Sequence, residues 1–386
     1  MKYEWKKVQL SDVADLTVGF VGTMAQHYVD NGVIFLRSTN IEPFNINLDD
    51  VKYISPEFHQ QIKKSQLKPG DVVIVRTGKP GASTVIPAIK DSWNCSDLVI
   101  VHPDQEKILP LYLASYINLA YGVINANLVG AVQQHFNVGS AKKLIIDLPP
   151  LSIQRQIVTI IQAINDKIEL NQKINENLER QAQTIYQQVF QYTISDDLPD
   201  GWRIGTVGEI IEIHDSKRVP LSGAVREKME KKIYPYYGAA SLMDHVDDYI
   251  FDGKYLLLGE DGTVVDDAGF PILQYVWGRF WVNNHAHILT GKLGFNVESL
   301  YLLFKQTPVK TIVTGAVQPK ISQANLRSIR IVVPPESVLV SVNDRIDPLF
   351  SQIRLNEDQN KVLETLRDTL LPKLMSGEID VSSIQL

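Results

Sequence analysis

Hydrophobic residues follow two spacings along the chain, and the spacing changes at each of two Pro-Pro pairs. Before Pro149-Pro150 and before Pro334-Pro335, short apolar runs such as 72–75 and 255–258 are bounded by Gly, Asp or Pro, which is typical of β-strands. After each pair, apolar positions are separated by alternating steps of four and three residues, which is typical of a heptad helix. The pattern predicts an α+β globule followed by a long helix, twice.

The chain also repeats itself at a fixed offset. The tetrapeptide GAVQ stands at 130–133 and again at 315–318, and matches at the same offset continue through both Pro-Pro pairs. The ends of the two halves match, whereas their middles differ. We therefore expect a duplicated scaffold with pseudo-twofold character that carries two different recognition surfaces. The predicted segments are two globules and two helices: 1–148, 149–195, 196–333 and 334–386.

Both predicted helices carry asparagines midway along their apolar seam. Asn171 and Asn175 occupy the same place in the first helix as Asn356 and Asn360 in the second. A helix of about 40 residues is about 60 Å long, too long to be buried in a small globule, so we expect the two helices to pair as a coiled coil. Antiparallel pairing would let the amides bond each other; the alternative is that they are simply exposed. The neighbouring seam residues expected at the pairing surface are Ile164, Ile168, Leu349 and Ile353.

One feature separates the second helix from the first. Asp347-Pro348 has the form of an N-cap followed by a proline at the first helical position. The sequence therefore predicts that the second helix breaks and restarts there.

Composition narrows the class of protein. The chain has 386 residues, of which 44% are hydrophobic, and its single cysteine, Cys95, excludes a disulfide framework. With no apolar run of membrane-spanning or signal-peptide length, we expect a soluble cytoplasmic protein. The net charge is −6, and residues 336–386 alone hold 9 acidic and 5 basic side chains. Any DNA binding would therefore depend on local basic loops or on a partner.

Five segments of the chain resemble the specificity subunit of type I restriction–modification systems. They are GDVVIVRTG at 70–78, PPLSIQRQI at 149–157, LPDGW at 198–202, WVNNHAHIL at 281–289 and LLPKLMSGEI at 370–379. The second helix start departs from the pattern, because it lacks the counterpart of Gln154-Arg155.

The resemblance implies a function and a set of partners. Each globule would be a target recognition domain that reads one half of a split, asymmetric DNA target. The helices would set the spacing of the two domains and dock two methyltransferase subunits, which nuclease subunits can join. The chain itself would catalyse nothing and bind no cofactor; S-adenosylmethionine and ATP would be held by partner subunits only.

Motifs for catalysis are scarce. No Gly-rich cofactor loop follows a predicted strand, and no phosphate-binding loop is present. His285 and His287 alternate on a predicted strand without an acidic or cysteine partner at ligand spacing, so we expect no metal site.

Several polar residues on predicted turns are candidates for DNA contact. Arg pairs with guanine, Gln with adenine, and Lys with phosphate. For each residue the alternative is a solvated surface side chain, and GAVQ suits the shaping of a turn equally well. The candidates are Arg76, Thr77, Lys79, Gln133, Gln134, His135, Lys217, Arg218, Gln318 and Lys320, with a further basic cluster at Arg226, Lys228, Lys231 and Lys232.

Two other functions are compatible with the sequence. One is a coiled-coil adaptor that binds only protein and has no DNA sequence preference. The other is a stand-alone methyltransferase or nuclease with an attached reader; the missing cofactor loop counts against the methyltransferase form.

Overall fold

The computed structural model describes residues 5–88, 93–127, 136–315 and 317–381. The chain divides into two compact units. Unit 1 consists of Met1–Leu170 and Gln359–Leu386, and unit 2 of Asn171–Asp358. The division passes through both long helices, Leu151–Val189 and Glu336–Met375, so each unit contains a part of both.

Unit 1 is built around two sheets and two short strand pairs. An antiparallel sheet has the strand order Ser83–Val85, Val72–Val75, Leu98–Pro103, Ala14–Val18. A mixed sheet has the order Tyr28–Val29, Lys52–Ile54, Val33–Leu36, Trp93–Cys95, Gln66–Leu67. The strand pairs are Lys6–Gln9 with Ile145–Leu148 and Ile41–Glu42 with Asn45–Ile46.

Unit 2 also has two sheets and one strand pair. Its antiparallel sheet has the order Ile211–Ile213, Ala286–Gly291, Tyr255–Gly259, Leu273–Val276. Its mixed sheet has the order Leu242–Val246, Tyr234–Tyr237, Arg279–Val282, Phe251–Asp252. The strand pair is Arg203–Thr206 with Arg330–Val333.

The antiparallel sheets of the two units share one strand order, whereas the mixed sheet of unit 1 has one strand more than that of unit 2. In each antiparallel sheet, the strand before a Gly-bearing turn lies beside the last long strand of the unit; these are Val72–Val75 with Leu98–Pro103, and Tyr255–Gly259 with Ala286–Gly291. Each mixed sheet contains one parallel strand pair, which is Val33–Leu36 with Trp93–Cys95 in unit 1 and Tyr234–Tyr237 with Arg279–Val282 in unit 2. The predicted mixture of helix and sheet is confirmed.

The shorter helices cover the sheets or close loops. In unit 1 they are Pro56–Gln61, Pro110–Asn127 and Val138–Lys142, and in unit 2 Val207–Ile210, Gly223–Glu227, Val297–Phe304 and Gln323–Ser328. Their starts are set by side chains; for example, Asn296 accepts a hydrogen bond from the backbone N–H of Ser299. Across the part of the chain that the structure describes, every helix is too short or too polar to cross a bilayer.

The long helices contribute to the core of each unit. In unit 1, Ile157 and Ile161 belong to the same buried cluster as Leu371 and Leu374, together with Leu10 of the sheet region. In unit 2, a separate cluster joins Ala182 and Tyr186 of the first helix to Val342, Ile346 and Phe350 of the second. The apolar seam predicted from the sequence is therefore the buried side of both helices.

The predicted break at Asp347-Pro348 is wrong. The second helix runs without interruption from Glu336 to Met375. A proline inside a helix removes one hydrogen bond, the one its N–H would give to the carbonyl four residues earlier. That carbonyl belongs to Asp344, which is exposed, so water can replace the lost donor. The buried residues Ile346 and Phe350 on either side fix the helix in its continuous form.

Candidate functional site

In unit 1, two predicted DNA contacts are bound to one carboxylate. Arg76 Nη1 donates to Asp97 Oδ1 at 2.6 Å, and Thr77 Oγ1 donates to Asp97 Oδ2 at 3.2 Å. Both residues follow the buried strand Val72–Val75, and the turn continues through Gly78 at φ +85°, a conformation that favours glycine. Lys79, the next residue, is exposed. Asp97 therefore fixes the orientation of the Arg76 guanidinium.

Unit 2 carries the equivalent turn with different side chains. The strand Tyr255–Gly259 leads into Glu260, Asp261 and Gly262, and Gly262 has φ +84°. His285 Nδ1 lies 2.5 Å from Asp261 Oδ1. In unit 1 the turn carries the basic residue, Arg76, and the segment before the strand Leu98–Pro103 carries the acid, Asp97. In unit 2 the turn carries the acid, Asp261, and the segment before the strand Ala286–Gly291 carries His285. Two similar backbones thus present opposite charge patterns.

Glu260 is the centre of a larger charged cluster in unit 2. Arg218 Nη1 donates to Glu260 Oε2 at 2.6 Å and to the carbonyl of Ala286 at 2.8 Å. Lys320 Nζ lies 3.1 Å from the other oxygen, Oε1. Burial alone would raise the pKa of Glu260, but the contacts with Arg218 and Lys320 and the nearby His287 together lower it. Two predicted DNA contacts, Arg218 and Lys320, are thereby brought together on one carboxylate.

A buried histidine extends this cluster into the core. The side chain of His287 is fully buried; its Nδ1 lies 2.6 Å from Asp215 Oδ2 and its Nε2 2.8 Å from the carbonyl oxygen of Ile321. Arg218 Nη2 is 3.4 Å from the same oxygen of Asp215. Burial would raise the pKa of Asp215, but the bonds and charges of His287 and Arg218, with the backbone N–H of Ile288, lower it overall.

These residues form a possible metal-binding group. Ligand atoms of Asp215, Glu260 and His287 all lie within 4.8 Å of one another. These two acids could not be recognised as partners of His287 from ligand spacing, because Asp215 and Glu260 are far from it along the chain. Both carboxylates already contact the Arg218 guanidinium, so a side chain supplies the positive charge that an ion would bring.

Gly315, Val317 and Gln318, which belong to the second GAVQ segment, lie between two residues that pair as an antiparallel bridge, Thr314 and Lys320. The backbone N–H groups of Thr314 and Lys320 donate to each other's carbonyls at 2.9 and 2.8 Å. Gln318 is exposed within this hairpin, and Lys217, on another turn, is exposed as well. Gln133, Gln134 and His135, predicted from the first GAVQ segment, lie outside the residues that the structure describes.

The basic cluster of unit 2 also contacts acids. Arg226 Nη1 donates to Asp244 Oδ2 at 2.7 Å, and its guanidinium lies 4.9 Å from the centre of the Tyr236 ring. Lys232 Nζ is 3.3 Å from the other oxygen of Asp244. Sequence reasoning singled out the bases and missed their acids, which are Asp97, Asp215, Glu260 and Asp244. A signal was available for two of them, because Asp97 and Glu260 stand at strand ends in segments that match between the halves.

The asparagines of the long helices are buried. In unit 2, Asn356 Nδ2 donates to Asn175 Oδ1 at 2.8 Å, and Asn175 Nδ2 donates to Glu357 Oε1 at 2.9 Å. Asn171 in unit 2 and Asn360 in unit 1 are also buried. Of the neighbouring seam residues, Ile164 and Ile168 are buried in unit 1, and Leu349 and Ile353 are partly buried in unit 2.

Comparison with known proteins places this geometry in a family. The family described as "Type I restriction modification DNA specificity domain" matches residues 2–180 and again 199–365. A Haemophilus influenzae protein named as a type I restriction enzyme specificity subunit is 31% identical over 147 residues, 37% of this chain and 37% of that protein. The type I restriction enzyme MjaIX specificity subunit of Methanocaldococcus jannaschii is 24% identical over 276 residues, 63% of this chain and 62% of the relative.

The fold has a solved counterpart. The crystal structure of a type I restriction–modification S subunit from M. genitalium superposes with a TM-score of 0.53 at 14% identity, covering 97% of this chain and 96% of that one. In the two relatives above, the match spans less than two thirds of their own length, whereas the domain family matches most of this chain in two copies. The chain belongs to the type I restriction–modification DNA specificity family, whose domain it carries in two copies.

Proposed function

We propose that the two recognition domains read different halves of one split, asymmetric DNA target. The domains correspond to 1–148 and 196–333, and the segments 149–195 and 334–386 act as spacers. One observation carries the proposal: the same strand order recurs in the antiparallel sheets of both units, yet the equivalent turns present Arg76 against Asp97 in one and Asp261 against His285 in the other. A shared scaffold with different polar side chains suits two readers of different sequences.

The predicted DNA contacts keep their roles within this proposal. Arg76 and Arg218 are oriented by acids, which favours a fixed hydrogen-bonding geometry over a mobile charge. Thr77, Lys79, Lys217 and Lys320 would contact phosphates, and Gln318 a base edge. Gln133, Gln134 and His135 remain candidates on sequence grounds.

The long helices would form an antiparallel coiled coil that sets the distance between the half-sites. Support comes from their lengths of 39 and 40 residues and from the Asn175–Asn356 hydrogen bond at the middle of the seam. An asparagine pair of this kind fixes the register of two helices, because a slip would place amides against apolar side chains. In this arrangement the repeat would have pseudo-twofold symmetry, and two methyltransferase subunits would dock around it, with nuclease subunits as further partners.

Catalysis would belong to those partners. This chain would hold neither S-adenosylmethionine nor ATP, and the assembled complex in the cytoplasm would methylate adenine and, with nuclease subunits, cleave DNA. The absence of a recognisable cofactor loop from the sequence is the ground for this assignment.

The proposal is tested by mapping DNA methylation in cells that express the cognate methyltransferase with and without this chain. We expect one split, asymmetric methyladenine motif to vanish when the chain is removed and to return when it is supplied again. The control is a cell in which the chain is present and the methyltransferase is inactive, which should show no motif.

An unchanged map, with the methyltransferase shown to be active, would contradict the proposal. It would favour a coiled-coil adaptor that binds only protein. If removal of the chain instead abolished a continuous palindromic motif, the chain would still determine specificity. The proposal that its two domains read different half-sites would then be contradicted.

A further inference from the structure

Among the large hydrophobic side chains that the structure describes, Val317 is the most exposed, at 99%. It lies in the second GAVQ segment, at the tip of the Thr314–Lys320 hairpin. A single exposed valine is ordinary on a protein surface, so its exposure alone assigns no role. Its rigid support and its repetition in the sequence are what distinguish it.

Backbone hydrogen bonds fasten the hairpin to the body of unit 2. Thr314 and Lys320 bond each other in both directions, the N–H of Ile321 donates to the carbonyl of Glu260 at 2.8 Å, and the N–H of Gly262 donates to that of Pro319 at 3.0 Å. Gly315 has φ +87°, and a Cβ there would lie 2.3 Å from the carbonyl oxygen of Gln318. The turn therefore requires glycine, and the tip is held away from the domain.

Two residues of the charged cluster, Glu260 and His287, contact the same hairpin. Lys320 Nζ lies 3.1 Å from Glu260 Oε1, and His287 Nε2 lies 2.8 Å from the carbonyl oxygen of Ile321. Glu260 and His287 are in turn linked to Arg218 and Asp215. One side of the hairpin, Pro319–Ile321, is therefore tied to Gly262, Glu260 and His287, and the side chain of Val317 between the two sides is almost fully exposed.

The sequence repeat limits what this tip can do. The four letters GAVQ are identical at 130–133 and 315–318, whereas the strand-end turns described above differ in every charged position. Identical residues cannot distinguish two different half-sites. The tip must serve a step that is the same at both.

We propose that Val317 is an apolar wedge that enters the DNA base stack beside the adenine methylated in the second half of the target. This inference rests on the proposed function. A methyltransferase must take its target base out of the duplex, and this step is common to both half-sites. Apolar side chains inserted at a base step fill the gap that unstacking leaves. Gln318 beside the valine and Lys320 of the same hairpin provide polar contacts to the base edge and the phosphate.

The test uses the complete complex with Val317→Ala and Val317→Ile and two duplexes: one keeps the target adenine and reports the methylation rate, and the other carries 2-aminopurine in its place, which cannot be methylated at N6, and reports base extrusion by fluorescence. For Val317→Ala we expect methylation of the second half-site to slow on the order of tenfold, because base extrusion loses its wedge. The 2-aminopurine fluorescence rise should fall in parallel, with the methylated motif and the DNA affinity unchanged. Val317→Ile should keep both signals near those of the parent chain.

The matched control is Leu293→Asn, which removes another exposed apolar side chain from a turn of unit 2 at a position with φ +53° that asparagine tolerates. It should change neither rate nor fluorescence. Three outcomes overturn the wedge: an unchanged rate and fluorescence in Val317→Ala, an altered base in the motif, or loss of a methyltransferase subunit from the complex. If the parent chain itself directs no split motif, the proposed function has failed instead.

Discussion

The basic side chains that were singled out for DNA contact and lie close to an acid are held mostly by carboxylates from distant parts of the chain, although Asp215 stands only three residues before Arg218. Arg76 is bound by Asp97, Arg218 by Glu260 and Asp215, and Lys320 by Glu260. Such pairing orients a guanidinium before DNA arrives and reduces the positive charge that the protein shows to non-target DNA. This agrees with a chain whose net charge is −6.

Replacing Arg218 should show how much its positive charge contributes to the free energy of unfolding. Its side chain is 13% exposed, and Arg218→Ala would leave Asp215 and Glu260 as buried carboxylates without their main cation. We expect the free energy of unfolding to fall by about 3–5 kcal/mol, the usual cost of breaking a buried ion pair from one side. Thermal unfolding of the variant and its parent at neutral pH would measure this.

The same variant should gain a response to zinc. With the guanidinium gone, Asp215, Glu260 and His287 offer three ligand atoms within 4.8 Å of one another. Addition of Zn²⁺ should raise the melting temperature of Arg218→Ala and leave the parent unchanged, and a further His287→Gln change should abolish the rise. A variant as stable as its parent, or one indifferent to zinc, would show that Arg218 is not the balancing cation.

At the scale of elements, the long helices depend on a polar pair set in an apolar seam. Asn356 donates to Asn175 in the interior of unit 2, close to Leu349 and Ile353. A buried amide that loses its partner keeps the full cost of leaving water, whereas replacing both partners by apolar groups can be nearly neutral. The pair therefore serves register more than stability.

A double-mutant cycle measures the interaction energy between Asn175 and Asn356. Asn356→Leu alone leaves Asn175 Oδ1 without its donor and should lower the free energy of unfolding by about 1–3 kcal/mol. The double change Asn175→Leu with Asn356→Leu should recover most of that loss. If the two single losses simply add, the two amides do not act as a pair.

The sequence predicted the elements better than their contacts. Heptad spacing located both long helices, and apolar runs at 72–75 and 255–258 located two central strands, because these patterns are local. The helix break predicted at Pro348 was wrong, because the local rule for proline at a helix start takes no account of burial. Ile346 and Phe350 are buried, and their packing keeps the helix continuous. Asp97 and Glu260, which bind Arg76 and Arg218, were missed because the fold, and not the spacing, brings them close. Asp215 is only three residues from Arg218, so its contact was within reach of a local pattern.

At the scale of the whole molecule, two units whose antiparallel sheets share one strand order and whose turns differ predict modular exchange. Replacing residues 1–148 by the corresponding domain of another family member should change one half of the methylated motif and leave the other half and the spacing as they were. Methylation mapping of cells carrying the exchanged chain would show this. A motif altered in both halves would mean that the domains do not read independently.

The composition of unit 1 has a consequence for biosynthesis. Unit 2 is one continuous stretch, whereas the core of unit 1 joins Leu10 and Ile157 to Leu371 and Leu374, which are translated after unit 2. During synthesis, unit 2 can therefore be complete while unit 1 still lacks part of its core. This reverses the usual order, in which the N-terminal domain folds first. A premature stop after residue 358 would leave apolar surface uncovered in unit 1.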